Sequence, residues 1–479
     1  MNHRVIAFMI GRLLTAAGLT MALPIIVAIY YREPPAAFAA FLVPMALMAA
    51  LGNALTKLPG EKTAYFARDG LVIVGLGWVL LTLFGALPYV ILPTGISFTD
   101  AFFESCSSLS TTGATVFSDL SVFPRSLLFW RSYSLFLGGL GILVVVITAL
   151  PTAGSTGVYI MRAEYPGKKI SGRARTSVFI YYLIYILITL SCVTALILTG
   201  MPAFDALLIS FSLSGTGGFF TSNRGAAVYS APSAVVVMTV FMFLFAMNYG
   251  LFFLLFTGKF KKLFRDEEFR WYLGIVLISG ILISLNLRPL YRDPFKMIRE
   301  AFFTVTSILS TTSFSIADAT KWPTFSQIIL LLLAFSGGMS GSTTGAMKIY
   351  RIIVYLKSAV RELRLAVYPN RNIPIRLDGE IIPDKKLSGI QRYLIVYLIV
   401  FFTMLLLTSF SAPNFSSAFS AVVATLNNTG HGLDLFGTAA DYSVFSPFAK
   451  VVFSFGMLMG RLEIYPILIL LSPSTYKKG

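Results

Sequence analysis

The feature that most restricts what this chain can become is a short polar phrase set repeatedly between apolar runs: LSTTGAT at 109–115 and LSTTSFS at 309–315. Backbone groups without hydrogen-bond partners cannot face lipid, so such a phrase at membrane depth must be buried in protein or line a watery cavity. The runs around it are membrane-like. Of 479 residues 56% are hydrophobic and only 12% are charged, too few for a water-facing surface. A membrane-crossing helix needs about 20 mostly apolar residues. Ten stretches qualify: 4–30 and 35–55 first, then pairs at 70–93 and 126–150, 176–200 and 231–256, 271–287 and 323–356, and 390–411 and 444–471. Within each pair lies a segment too short to span, at 98–112, 203–215, 298–312 and 415–428. The opening run from Val5 to Tyr30 is too long for a signal-peptide core and lacks a small-residue cleavage site.

The phrase belongs to a larger repeat. DAFFESCSSLSTTGAT (100–115) and EAFFTVTSILSTTSFS (300–315) align without a gap and agree at eight of sixteen positions. DALLISFSLSGTGGF (205–219) and SAFSAVVATLNNTGHG (417–432) are more diverged copies. Aligned on their last Thr, the four centre on Thr112-Gly113, Thr216-Gly217, Thr312-Ser313 and Thr429-Gly430. A period of about 100 residues with one apolar helix on each side is a four-fold internal repeat. The expected fold is an all-α polytopic membrane protein: two N-terminal helices, then four pseudo-fourfold helix–pore-loop–helix repeats around a central pore. The divisions are 1–65, 66–160, 161–265, 266–380 (its second helix broken) and 381–479.

The net charge of +17 would suggest nucleic acid in a soluble protein, but here Lys and Arg set topology. With the N-terminus in the cytoplasm, most Lys and Arg residues fall in inside segments, chiefly 162–175, 259–270 and 348–392, and every short segment enters from outside. The basic run 288–299 is a local exception. Cys106 and Cys192 lie in apolar context, so neither a disulfide framework nor a metal cluster is expected. His3 and His431 are the only histidines. SGTGGF follows no strand and opens no Rossmann helix. No paired carboxylates or Ser–His constellation points to an enzyme. A membrane-embedded hydrolase built on His431 is the reading from another class, and four copies of one element disfavour it.

Four half-length helices entering from one side, each followed by a Thr-Gly strand, can meet on an axis. Gly lets backbone carbonyls turn inward, and a ring of carbonyls replaces the water of a dehydrated cation. The C-terminal ends of the four helices add partial negative charge there. The candidate ion-binding residues are Thr111, Thr112, Gly113, Gly215, Thr216, Gly217, Thr311, Thr312, Ser313, Asn428, Thr429 and Gly430, with potassium held at Thr112, Thr216, Thr312 and Thr429. Close helix packing is the plainer use of Ser/Thr/Gly runs, but it explains neither the short helices nor their common side of entry. Asp119, Asp318 and Asp434 follow three of the strands and would enrich cations at the outer mouth, unless they are simply solvated loop charges; repeat two has Arg224 instead.

These residues resemble the Trk/Ktr/HKT potassium transporters over nearly the whole chain. Besides the four Thr-Gly elements, WRSYSLFLGGLGILVVVITALP (130–151), FSGGMSGSTTGAMKIYR (335–351), ELRLAVYPN (362–370) and GRLEIYPIL (460–468) carry the resemblance. The two extra N-terminal spans are similar to the Trk branch, the TrkH and TrkG type. The resemblance implies potassium uptake across the bacterial inner membrane, both termini cytoplasmic, with K⁺ as the transported ion and Na⁺ or mixed conduction as the alternative. It implies a homodimer and a cytosolic nucleotide-binding ring of TrkA type, with membrane lipid as surroundings, no nucleic acid and no covalent cofactor. Whether transport is symport or channel-like is left open.

Two further features follow. The run 336–347 breaks the second span of repeat three with Gly337, Gly338, Gly341, Ser342, Thr343, Thr344 and Gly345, which cannot make a stable lipid-facing helix. A glycine-rich kink is one reading; the resemblance implies an intramembrane gating loop. Arg461 lies within the last span, where a charge is costly and faces a bundle interior, water or the interface. The resemblance implies that it forms a cation barrier with the loop. Ser313 stands where the other three copies, and usually the family, have Gly.

Overall fold

A computed structural model describes residues 2–57, 67–141, 174–221, 231–430 and 442–476. The N-terminal pair is α1 (His3–Thr20) continued by α2 (Ala22–Tyr30), packed on α3 (Pro35–Thr56). Glycines set its spacing: a Cβ on Gly11 would sit 2.7 Å from the Gly52 carbonyl oxygen, and one on Gly52 equally near that of Gly11. Small residues let backbones approach this closely.

Four units follow. The first is α4 (Ala67–Ile91), α5 (Phe98–Leu109) and α6 (Arg125–Leu140). The second is α7 (Ala174–Leu198), α8 (Ala203–Gly215), α9 (Pro232–Phe245) and α10 (Tyr249–Phe256). After α11 (Phe260–Arg265), the third holds α12 (Glu267–Leu287), α13 (Pro294–Leu309), α14 (Thr324–Ser336) and α15 (Ile349–Val367). The fourth is α16 (Asp384–Ser409), α17 (Phe415–Leu426), α18 (Pro447–Arg461) and α19 (Tyr465–Leu471). The middle helices α5, α8, α13 and α17 have 12 to 16 residues, about 18–24 Å at 1.5 Å per residue, short of a bilayer core of about 30 Å. Side chains cap three of their N-termini: Ser97, Asp293 and Asn414 accept from Asp100, Phe295 and Ser417 amides, satisfying donors that no helix turn reaches.

Every second helix breaks, where the sequence suggested a break in repeat three alone. α6 stops at Gly141 (φ +73°), α14 at Gly337 (φ +67°), and α18 before Glu463 (φ +57°) and Ile464 (φ +70°). α9 and α10 meet at 101°, with Asn248 capping α10 through the Gly250 amide. Hence, among the described residues, six helices are long and apolar enough to cross a membrane unbroken, or seven with the bent pair as one span. The continuation of α6 lies outside the described residues.

Between α15 and α16 the chain makes a hairpin, β1 (Arg376–Leu377) and β2 (Glu380–Ile381), with Leu377 opposite Glu380. Asp378 (φ +51°) and Gly379 (φ +83°) form its two-residue turn, the Asp-Gly sequence such turns favour. Ile375, Ile382, Val354, Leu387 and Ile390 bury against one another beneath it. The division drawn at 380 therefore cuts a single folded element.

Candidate ion pathway

The four short helices end alike. After each, one residue turns left-handed: Thr111 (φ +58°), Thr216 (+56°), Thr311 (+56°) and Asn428 (+54°). The next N–H folds back to a helix carbonyl five residues earlier: Thr112 to Ser107, Gly217 to Ser212, Thr312 to Ser307 and Thr429 to Ala424, at 2.9–3.0 Å. The residue after that is again positive in φ: Gly113 (+80°), Gly218 (+68°), Ser313 (+54°) and Gly430 (+72°). Alternating the sign of φ turns successive peptide planes so that carbonyls share one side.

This geometry corrects the alignment of repeat two by one residue. Thr216 matches Thr111, Gly217 matches Thr112, and Gly218, absent from the sequence-derived set, matches Gly113. Gly215 accordingly matches Ser110. It packs against repeat one, where a Cβ would lie 2.4 Å from the Leu135 carbonyl oxygen. Repeat two has one Thr flanked by glycines, so alignment on the last Thr slips.

The strands close a ring. A Cβ on Gly113 would fall 1.5 Å from the Gly217 oxygen, one on Gly218 2.0 Å from that of Thr312, and one on Gly430 2.2 Å from that of Thr112. At the remaining junction Ser313 carries a real Cβ, and there a cavity of about 340 Å³ opens, lined by Ser313, Thr304, Ile308, Phe419, Ser420 and Thr429 among others. The Ser313 hydroxyl is buried and unpaired.

Behind repeat one, Glu104 and Arg131 form a buried ion pair at 2.5 Å. Glu104 also accepts from Thr115 Oγ1 at 3.1 Å and the Val116 amide at 3.2 Å, while Arg131 donates to the Phe220 carbonyl at 3.3 Å and lies over the Phe219 ring. The pair ties the strands of repeats one and two together. Arg131 and Lys450 are both buried, Lys450 on Asp100 at 2.6 Å.

The loop after α14 runs beneath the ring. Gly345 N–H donates to Thr311 Oγ1 at 3.0 Å, and a Cβ on Gly345 would lie 2.4 Å from the Asn427 oxygen. Met339 N–H reaches the Ala246 carbonyl at 2.9 Å, Thr343 Oγ1 the Phe245 carbonyl at 3.3 Å, and Tyr249 N–H the Gly341 carbonyl at 3.3 Å. The break in repeat two thus seats the loop of repeat three, with Gly338 against Ala246. Ser342 and Thr344 hydroxyls hydrogen-bond at 2.8 Å, and Gly337 marks where the helix is left.

Arg461 at the end of α18 donates to Thr343 O at 2.5 Å, Gly138 O at 2.6 Å and Gly139 O at 3.3 Å. Its partners are carbonyls; no carboxylate among the described residues pairs with it, and Glu463 turns instead to Arg351 at 2.5 Å. Loop, Arg461 and the end of α6 therefore meet under the ring.

At the outer side Asp318 accepts from Thr320 Oγ1 at 2.6 Å and pairs with Lys321 at 3.1 Å. The Thr320 hydroxyl holds its carboxyl below the usual value. Asp119 accepts from the Ser121 amide at 2.9 Å and hydroxyl at 2.7 Å. Asp434, His431 and Arg224 lie outside the described residues. Among the described residues no cluster of His, Cys, Asp and Glu could hold a metal ion.

A helical chain whose four half-length helices bring strands with positive-φ residues together, with an arginine and a loop beneath, has the architecture of a polytopic membrane protein. The family model that matches, TrkH, described as cation transport protein, covers residues 36–477, and the chain belongs to that family. It is 36% identical to the Trk system potassium uptake protein TrkH of Salmonella typhimurium, over 100% of both chains, and 30% identical to TrkG of Escherichia coli over 98% of both. The crystal structure of the potassium transporter TrkH from Vibrio parahaemolyticus superposes with a TM-score of 0.89 at 33% identity, covering 100% of each chain.

Proposed function

We propose that the chain is the membrane subunit of a potassium uptake system, taking K⁺ through the ring of strands. The observation that carries this reading is the ring's backbone: two positive-φ residues per strand, and three glycines each abutting a neighbouring carbonyl, the arrangement a dehydrated cation requires. The full-length likeness to potassium uptake proteins supports K⁺ as cargo. Thr112, Gly217, Thr312 and Thr429 and the positive-φ residues after them are the coordinating backbone. The loop 336–347 is the gate and Arg461 its fixed charge, a barrier to any cation below the ring. The protein sits in a bacterial inner membrane with both termini cytoplasmic, pairs with a second copy, and is controlled by a cytosolic nucleotide-binding ring of TrkA type. Flux of ⁸⁶Rb⁺ and Na⁺ into liposomes holding the purified chain tests this; absence of cation flux in either gradient would remove the reading. A sodium or mixed conductor is the second reading, favoured by Ser313 alone.

A further inference from the structure

α12 opens with two glutamates that face opposite tasks. Glu268 is buried, and its Oε1 accepts from the Ser340 amide at 2.6 Å and the Tyr350 amide at 3.1 Å. Those amides lie in the loop and just past its end: Ser340 three residues after its first glycine, Tyr350 two beyond Lys348, where φ is +70°. Tyr350 is in the first turn of α15, whose N–H groups have no helical acceptor. Lys348 Nζ turns away to Thr344 Oγ1 at 2.9 Å. One oxygen thus staples the loop to the start of α15.

Glu267 looks the other way. Its Oε1 pairs with Lys357 Nζ at 2.5 Å, and its N–H donates to Asp378 Oδ1 at 2.7 Å. Asp378 is the tip of the hairpin, and its own N–H returns to Glu267 Oε2 at 3.4 Å. Loop and hairpin are otherwise separated by a cavity of about 260 Å³, lined by Ser340, Lys348, Glu380 and Lys386 among others. Adjacent residues at one helix end therefore join two elements that have space to move.

We infer that Glu268 is the positioning residue that latches the loop shut, and that the hairpin works this latch through Glu267. The inference rests on reading 336–347 as the gate. When the loop leaves, Glu268 Oε1 loses two donors in a buried place, and a buried acceptor left without partners is costly; the closed position is favoured accordingly.

The test uses full-length protein in liposomes, reading basal K⁺ flux and the K⁺/Na⁺ reversal potential. Both bonds end on one oxygen, so Glu268→Gln, whose amide oxygen can accept both, should restore gating. Glu268→Ala should raise basal flux about tenfold, the equivalent of 1.4 kcal/mol, with an unchanged reversal potential. Glu268→Asp keeps the carboxyl group but withdraws the oxygen, and should leak as well; it serves if the alanine form does not fold. Asp378→Ala should leak less, and combined with Glu268→Ala should add nothing. Wild-type basal flux in Glu268→Ala beside a leaking Arg461→Ala would overturn the latch and leave the gate. No leak from either would overturn the gate itself. Equal leaks from the Gln and Ala forms would replace the latch by a charge effect, and additive leaks would remove the hairpin.

Discussion

Ser313 has φ +54° and a buried hydroxyl without a partner, beside a cavity that its three glycine counterparts lack room for. A non-glycine residue in this conformation costs about 1–2 kcal/mol, and its carbonyl has room to shift toward the cavity. Selectivity should be blunted: measurable Na⁺ permeability in the native chain, and in Ser313→Gly a K⁺ preference steeper by up to about tenfold, equal to 1.4 kcal/mol. Identical reversal potentials for both forms would show that Ser313 holds the glycine backbone. The corrected register makes a second test. Gly218→Ala, with its Cβ 2.0 Å from a carbonyl, should abolish uptake without loss of insertion. Gly217→Ala should be milder, because φ there is not positive and its Cβ meets the Leu135 side chain. Equal loss in both would restore the Thr-anchored alignment. Arg131→Met leaves Glu104 buried without its charge partner, and should lower stability by about 3–5 kcal/mol, whereas Glu104→Leu with Arg131→Met should lose less; thermal unfolding in detergent reads both. Gly113 and Gly430 were legible as positive-φ positions because Thr-Gly recurs. Gly218 was not, because its register is set by the Ser212 carbonyl, a contact that no sequence spacing reveals.

The loop and Arg461 act together as elements. Arg461 holds Thr343 on one side and the end of α6 on the other, so Arg461→Ala, or a shortened loop, should raise basal flux and loosen dependence on the proposed nucleotide-binding regulator. Unchanged basal flux in both would put the gate elsewhere. The loop was legible from its run of four glycines with Ser and Thr between them, which cannot make a stable lipid-facing helix. The breaks at Asn248 and at Glu463-Ile464 were not. A β-branched Ile at φ +70° is an outlier that only its surroundings can enforce, and Asn248 at one break and Glu463 at the other are polar residues within long apolar runs. The short helices were legible by length, since an apolar run of this size between two full spans has nowhere to end but inside.

At the scale of the whole molecule the face proposed as cytoplasmic is basic. Charge reversal at Arg371, Arg376, Lys385 and Lys386, around the hairpin, should abolish co-purification with a nucleotide-binding ring; complexes that survive would place docking elsewhere. The tie between the hairpin and Glu267 spans more than a hundred residues and has no local sequence sign. One bond described above joins the two ends of the pathway: Gly345 of the loop donates to Thr311 of the ring. Loop position and ring shape are then linked quantities, and linkage is reciprocal. An ion that tightens the ring favours one position of the loop, and a loop that withdraws alters the ring's hold on its ion. The cargo becomes its own effector, and the external cation concentration should tune how often the pathway opens as well as how fast it fills.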